Sequence, residues 1–430
     1  MLWIAIFVAM SEQAAAAETS ILHHHRRRMR GRDPHETHRV ATSLELLFDL
    51  TFVVAFAQAA AQFSHYVADG HFGTALLAFP ISVFAICWAW INFSWFASAF
   101  DTDDWIYRVT TMVQMIGVLI LALGLPDVFA SIEKGAYLDN RIVVLGYVIM
   151  RLAMVFQWLR AARQDPAHRR VCITYATAIS LAQIGWIVLI FLNFSIGVTL
   201  ALTALFVGIE MLGPYLAERK DGGTPWHAHH IAERYSLVAI IALGEGVVGT
   251  VAALAAVIES QGWTLDVALV GVAGTGLTFG MWWVYFLVPA GEMLHEKRSK
   301  SFVWGYGMMV TFASIVATGA GLHTAAYFIE HKAKIGPLAT LLSVVIPVVL
   351  FLALIYAFYA YLVDAFDRFH IWLLLGTLLV AAAAIAAAYL GVSMPICLVI
   401  LMLAPVVTII GYETRGHKFQ AETLGHRPDA

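Results

Sequence analysis

Apolar residues fall into long, continuous runs separated by short polar joins, without the strict alternation of a membrane barrel strand. A bilayer core of about 30 Å needs about 20 consecutive, mostly apolar helical residues to cross it. Twelve stretches meet that requirement: 43–63, 73–99, 106–129, 141–162, 170–192, 195–216, 232–256, 265–289, 302–327, 337–362, 371–390 and 393–412. The joins at 192/195 and 390/393 are very tight turns. The predicted fold is all-α, a polytopic integral membrane protein of about 12 transmembrane helices.

Composition agrees with the pattern. Apolar residues make up 60% of the 430 and charged residues only 13%, about half the ~25% of a soluble domain. Mean hydropathy is +0.77. A water-soluble enzyme and a disordered chain are both excluded, because neither could accommodate so much apolar surface. The net charge of −3 gives no footing for nucleic-acid binding. Cys87, Cys172 and Cys397 lie far apart in apolar surroundings and build neither a disulfide framework nor a metal site.

Charge distribution orients the chain. With the N-terminus cytoplasmic and twelve crossings, 21 of the 26 Lys and Arg residues fall on the cytoplasmic side, whereas Lys134, Arg141, Lys332 and Lys334 fall outside and Arg151 lies within a span. That asymmetry predicts an even number of crossings with both termini on the cytoplasmic side of the membrane. The expected organisation is a basic tail over 1–40, a six-helix half over 41–216, a linker over 217–231, a second half over 232–412 and a tail over 413–430. Met1–Met10 is apolar but too short to span and lacks a basic leader, so Met29 is an alternative start.

An ionisable side chain at membrane depth costs about 2.5–3.5 kcal/mol on insertion scales, so it needs a partner or a wet cavity. Glu45 and Asp49, four apart, share one face of the first span. They read either as a paired acidic face that handles protons or cations, or as carboxylates that cap the helix and reach the interface. Glu233 and Arg234 open the seventh span. Glu245, flanked by Gly244 and Gly246, sits near its midplane and is either a functional site or half of a structural ion pair. Arg151 requires a carboxylate, with Glu245, Glu210 and Asp49 as the candidates. Asp101, Asp103 and Asp104 precede Arg108 and fit a helix N-cap better than a calcium loop. His227, His229 and His230 precede Glu233 without forming a metalloprotease motif. Trp88, Trp90, Trp95, Trp282 and Trp283 read as an aromatic belt at the membrane surface.

The halves resemble each other weakly. Glu45 is followed by Trp90-Ile-Asn-Phe93, as Glu233 is followed by Trp283-Val-Tyr-Phe286. An offset of six helices would make two parallel repeats, an architecture in which transporters bind substrate at the repeat interface.

The runs HRVATSLELLFDLTFVVAFAQ (38–58), FDTDDWIYRVTTMVQMIGVLILALGLPDVF (100–129), GYVIMRLAMVFQWLRAAR (146–163), HHIAERYSLVAIIALGEGVV (229–248) and MWWVYF (281–286) resemble the bacterial low temperature requirement A family, in the family's order. The resemblance extends over about 30–412. It implies that Glu45, Phe48, Asp49, Arg108, Arg151, Glu233, Arg234, Gly244 and Glu245 are the family's characteristic residues. Many members carry Ser where this chain has Gly246, which removes a hydroxyl from that position. The short basic opening MRGRDPHETHRV is also similar to the family's usual start. The family name records a cold-growth phenotype and specifies no biochemical activity.

The leading expectation is a proton- or cation-coupled secondary transporter acting on a small solute. Its charge network is Glu45, Asp49, Arg108, Arg151, Glu233, Arg234 and Glu245, with Arg151 facing Glu245. The alternatives are a structural or sensory membrane protein and an intramembrane enzyme that binds a cofactor or lipid. Without a phosphate loop, nucleophile elbow or metal-ligand spacing, no catalytic residue, metal or cofactor is predicted, and an enzyme is the less favoured class. The lipid bilayer is the expected partner.

Overall fold

The structure, a computed structural model, describes residues 27–37, 39–192, 194–364 and 368–416. The Met1–Met10 run, His23–His25, His38 and nearly all of the C-terminal tail lie outside the described residues. Thirteen α-helices and no strand occur among those described. They are α1 (Ser43–Ala68), α2 (Phe72–Phe100), α3 (Trp105–Lys134), α4 (Arg141–Gln164), α5 (Arg169–Phe191), α6 (Ile196–Glu218), α7 (Ala228–Gln261), α8 (Leu265–Phe286), α9 (Ala290–Glu296), α10 (Ser301–Ile329), α11 (Pro337–Val363), α12 (Arg368–Tyr389) and α13 (Met394–Gly411). Together they make up 12 segments long and apolar enough to cross a membrane, the seven-residue α9 being counted with α8 in the segment Leu265–Glu296.

Local chemistry sets the helix ends. Thr42 and Glu45 form a reciprocal capping box at the start of α1. Asp104 accepts the Tyr107 N–H to begin α3, and Gly135, with φ +71°, closes it in the left-handed conformation. His227 begins α7 by accepting the His230 N–H at its ring nitrogen. With 34 residues, α7 extends about 51 Å at 1.5 Å per residue. It is therefore longer than a bilayer core and carries side chains from the polar end to the middle of the bundle.

Within 43–216, α1 packs on α2 and α3, α3 on α4, α4 on α5, and α5 on α6. The same succession recurs beyond residue 228: α7 on α8 and α10, α10 on α11, α11 on α12, and α12 on α13. The two sets meet where α1 and α2 lie against α7 and α10. Small residues bring some backbones close. At Gly319 of α10, an added Cβ would lie 2.5 Å from the Glu245 carbonyl carbon of α7.

The segment before α1 is bound across one end of the bundle. Met29 N donates to Gln164 Oε1 at 2.6 Å, Gly31 N to Asp165 Oδ2 at 2.7 Å, Arg32 N to Ala99 O at 2.9 Å and Ala41 N to Glu233 Oε2 at 3.1 Å. This strap joins the ends of α2, α4 and α7, and its Met29 side chain is fully buried.

Candidate functional site

The densest buried charge lies under the strap, where α1, α2 and α7 meet. The spacing of Glu45 and Asp49 directs both carboxylates from α1 toward Arg234 on α7. Arg234 donates from Nε and Nη2 to the two oxygens of Asp49, at 3.0 and 2.6 Å, and from Nη1 to Glu45 Oε1 at 2.9 Å. All three side chains are essentially excluded from solvent. Burial of such charges is tolerable because the planar guanidinium fork satisfies both Asp49 oxygens at once. Trp90 of α2 adds an indole N–H to Asp49 Oδ1 at 2.7 Å. Glu45 Oε2 is occupied by the Thr42 N–H at 2.7 Å.

Two further charged groups extend the cluster. Arg39 Nη2 lies 3.5 Å from Glu45 and 3.6 Å from Asp101, while His230 Nε2 stands 3.1 Å from Glu45 Oε1. Three carboxylates thus share two guanidiniums. The imbalance falls on Asp101, beyond the end of α2: burial and the Glu45 charge push its carboxyl up to about 6, against the pull of Arg39.

Asp104, three residues on, has the opposite setting. Burial opposes its ionisation, yet Arg160 and the Tyr107 and Arg27 N–H groups hold its carboxyl below the usual range. Asp104 is the N-cap expected of the Asp-rich segment. Asp103 is engaged by Arg108 through two hydrogen bonds of 2.8 and 2.9 Å. Arg108 consequently sits at the partly exposed edge and not in the cluster. Glu233 is half-buried and lines a cavity of about 230 Å³ with His229, Ser236, Tyr285 and Glu292. Among the described residues, no group of three or more His, Cys, Asp or Glu side chains is arranged to hold a metal ion.

The pairing of Arg151 with Glu245 is corrected by the geometry. Arg151 Nη2 bonds Glu210 Oε2 of α6 at 2.8 Å. Glu210 also accepts the Trp186 indole N–H at 2.9 Å and that of Trp88. Helical periodicity assigns a residue to a face, but it cannot say which of several distant helices that face meets. The aromatic-belt reading fails for the same reason at Trp88 and Trp90, which are each only 1% exposed and donate to buried carboxylates.

Glu245 is left alone. It is 4% exposed, its backbone abuts Gly319, and among the described residues no hydrogen bond or ion pair reaches its carboxylate. Every other carboxylate in the buried set (Glu45, Asp49, Asp101, Asp104, Asp165 and Glu210) has a charged or hydrogen-bonding partner. Sequence reasoning missed Arg39 as a cluster member and the indoles as donors. The available signals were the basic residue six positions before Glu45 and the tryptophans too near the middle of an apolar helix to reach an interface.

The family model described as bacterial low temperature requirement A protein (LtrA) matches residues 40–405. An uncharacterized protein of Rhizobium meliloti (strain 1021) is 26% identical over 294 residues, covering 64% of this chain and 67% of that one. No solved structure matches.

Proposed function

The chain belongs to the bacterial low temperature requirement A family, and from that premise we propose that it is a proton- or cation-coupled secondary transporter of a small solute with Glu245 as the coupling site. The observation that carries this reading is the buried, unpartnered Glu245 carboxylate at the α7–α10 crossing. An uncompensated charge at that depth is expensive, so the group holds a proton or a cation whenever the surrounding helices close over it. A carboxylate that must exchange its charge in this way couples ion movement to helix movement.

Two features support the same reading. The recurring helix succession suits two parallel six-helix halves, with residues 41–216 and 232–412 meeting around α1, α2, α7 and α10. The cavity lined by His229, Glu233 and Glu292 provides a polar approach to α7 from the strap-bearing end. Arg234, Glu45 and Asp49 then hold α1 to α7 while the coupling site lies about 16 Å further along, eleven residues at 1.5 Å each. The surplus of Lys and Arg on the strap-bearing side supports an inner-membrane protein with that side cytoplasmic.

A specific observation favours a second reading. Arg234 satisfies Asp49 and Glu45 so completely that the cluster resembles a static lock, as a structural or sensory protein would use. Proton flux in proteoliposomes under an imposed pH gradient separates the two. A transporter loses that flux in Glu245→Gln while remaining monodisperse and folded. Unchanged flux in the folded variant would refute the coupling role and leave the static reading.

A further inference from the structure

The arginines at the strap-bearing end are unevenly partnered. A groove of about 680 Å³ lies between the strap, the start of α3 and the end of α4, lined by Arg27, Arg28, Arg160, Arg163 and Gln164 with Ile106, Phe156 and Leu159 beneath them. Arg160 is neutralised by Asp104 and donates to Arg27 O at 3.0 Å. Among the described residues Arg28 donates only from Nε, to Gln164 O at 2.8 Å. Among the described residues no carboxylate pairs with Arg28 or Arg163, and both are exposed.

The floor of the groove indicates what the charge meets. Leu145 and Leu152, on α4 outside the groove, are 52% and 67% exposed, and Phe156 and Leu159, in its floor, are 48% and 50% exposed. Their spacing of seven, four and three places them on one outward face of α4, and Arg163 follows four residues later on that face. An apolar stripe that leaves the membrane region and ends in guanidiniums has the layout of an acyl chain below a phosphate. Trp105, 55% exposed at the start of α3, stands at the same level.

From the groove and the stripe we infer an interfacial binding site for an anionic phospholipid, its phosphate on Arg28 and Arg163 and an acyl chain along Leu159, Phe156 and Leu152. A free phosphate would use the arginines alone, whereas a phospholipid of the bilayer that α4 faces would use the arginines and the stripe together. Arginine forks match phosphate oxygens, and basic pockets between helices at the membrane surface take acidic headgroups. Bound there, the lipid would join the strap to α4. The inference goes beyond the transport reading and uses none of its residues.

The test is native mass spectrometry of the full-length protein titrated with phosphatidylglycerol or phosphatidylcholine, for the wild type and the Arg28→Gln/Arg163→Gln double variant. Selective phosphatidylglycerol binding is expected, weakened about thirtyfold in the variant, as about 1 kcal/mol per basic residue implies. An Arg169→Gln/Arg219→Gln variant removes equal charge outside the groove and should retain binding. Equal binding of the two lipids would overturn the inference, as would an equal loss in the control variant. Displacement by millimolar inorganic phosphate would reassign the site to a free anion. A double variant that does not fold is replaced by Leu152→Ser/Leu159→Ser, which leaves the charge intact; unchanged phosphatidylglycerol binding in it would also overturn the assignment.

Discussion

Replacing Arg234 with Gln removes one side chain that engages two buried carboxylates. Three hydrogen bonds of 2.6–3.0 Å are lost together with the cation that compensates Asp49 and most of Glu45. Arg39 stays 3.5 Å from Glu45 and retains part of that compensation, and Trp90 keeps its bond to Asp49. Breaking a buried pair by removing one partner costs about 3–5 kcal/mol, roughly a 150- to 5,000-fold change in the folding equilibrium. Unfolding in a graded mixture of denaturing and mild detergent reads this directly. The Asp49→Asn/Arg234→Gln double variant should recover at least half the loss, because it removes the orphaned charge as well as its partner. A single variant within about 1 kcal/mol of wild type would match an exposed, hydrated ion pair. It would refute the reading of a dry cluster that holds α1 to α7.

Two further outcomes follow from the same geometry. Asp101 has a carboxyl raised from 3.8 to about 6; the folded protein thus favours its protonated form, a contribution complete below about pH 4 and lost as pH rises to about 6. Wild type should lose stability relative to Asp101→Asn over that window, and a pH-independent difference between their unfolding curves would contradict the assignment. Gly319→Ala places a methyl group about 2.5 Å from Glu245 backbone atoms, so α7 and α10 must separate at a cost of about 1–3 kcal/mol; an unshifted unfolding midpoint would show that the crossing is looser than described.

The spans were legible because bilayer thickness converts directly into run length. The observed helices differ mainly in extending past the apolar runs: α7 begins at Ala228 and not at 232, and α1 continues to Ala68 beyond 63. Those extra turns are polar or capped, and hydrophobic runs give no signal for them. The additional short helix at Ala290–Glu296 has the same origin. The charge pairing was illegible for a different reason. Glu45, Asp49 and Arg234 stood out as charges near the ends of apolar spans, but whether they were buried was open and their contact spans 185 to 189 residues. Glu245, Glu210 and Asp49 were all candidate partners for Arg151, and Glu245 was favoured, because helices apolar on nearly every side, such as α2, do not encode their rotation about the axis. Trp88 and Trp90 carried the missing information: each has one polar atom, and a buried indole N–H seeks an acceptor.

Compensation, more than depth, separates the carboxylates by role. Glu210 receives a guanidinium and two indoles, and Asp49 receives a guanidinium fork and one indole. Moving a proton onto either would discard several good interactions at once, so both suit fixed positions. Glu245 has none to discard among the described residues, so the exchange of a proton or cation proposed for it would break no such interaction. In the buried set it is therefore the carboxylate least committed to holding the bundle together. If it proves dispensable for flux, no second uncompensated buried acid among the described residues stands ready to take its place. The weight would then pass to the static lock built around Arg234.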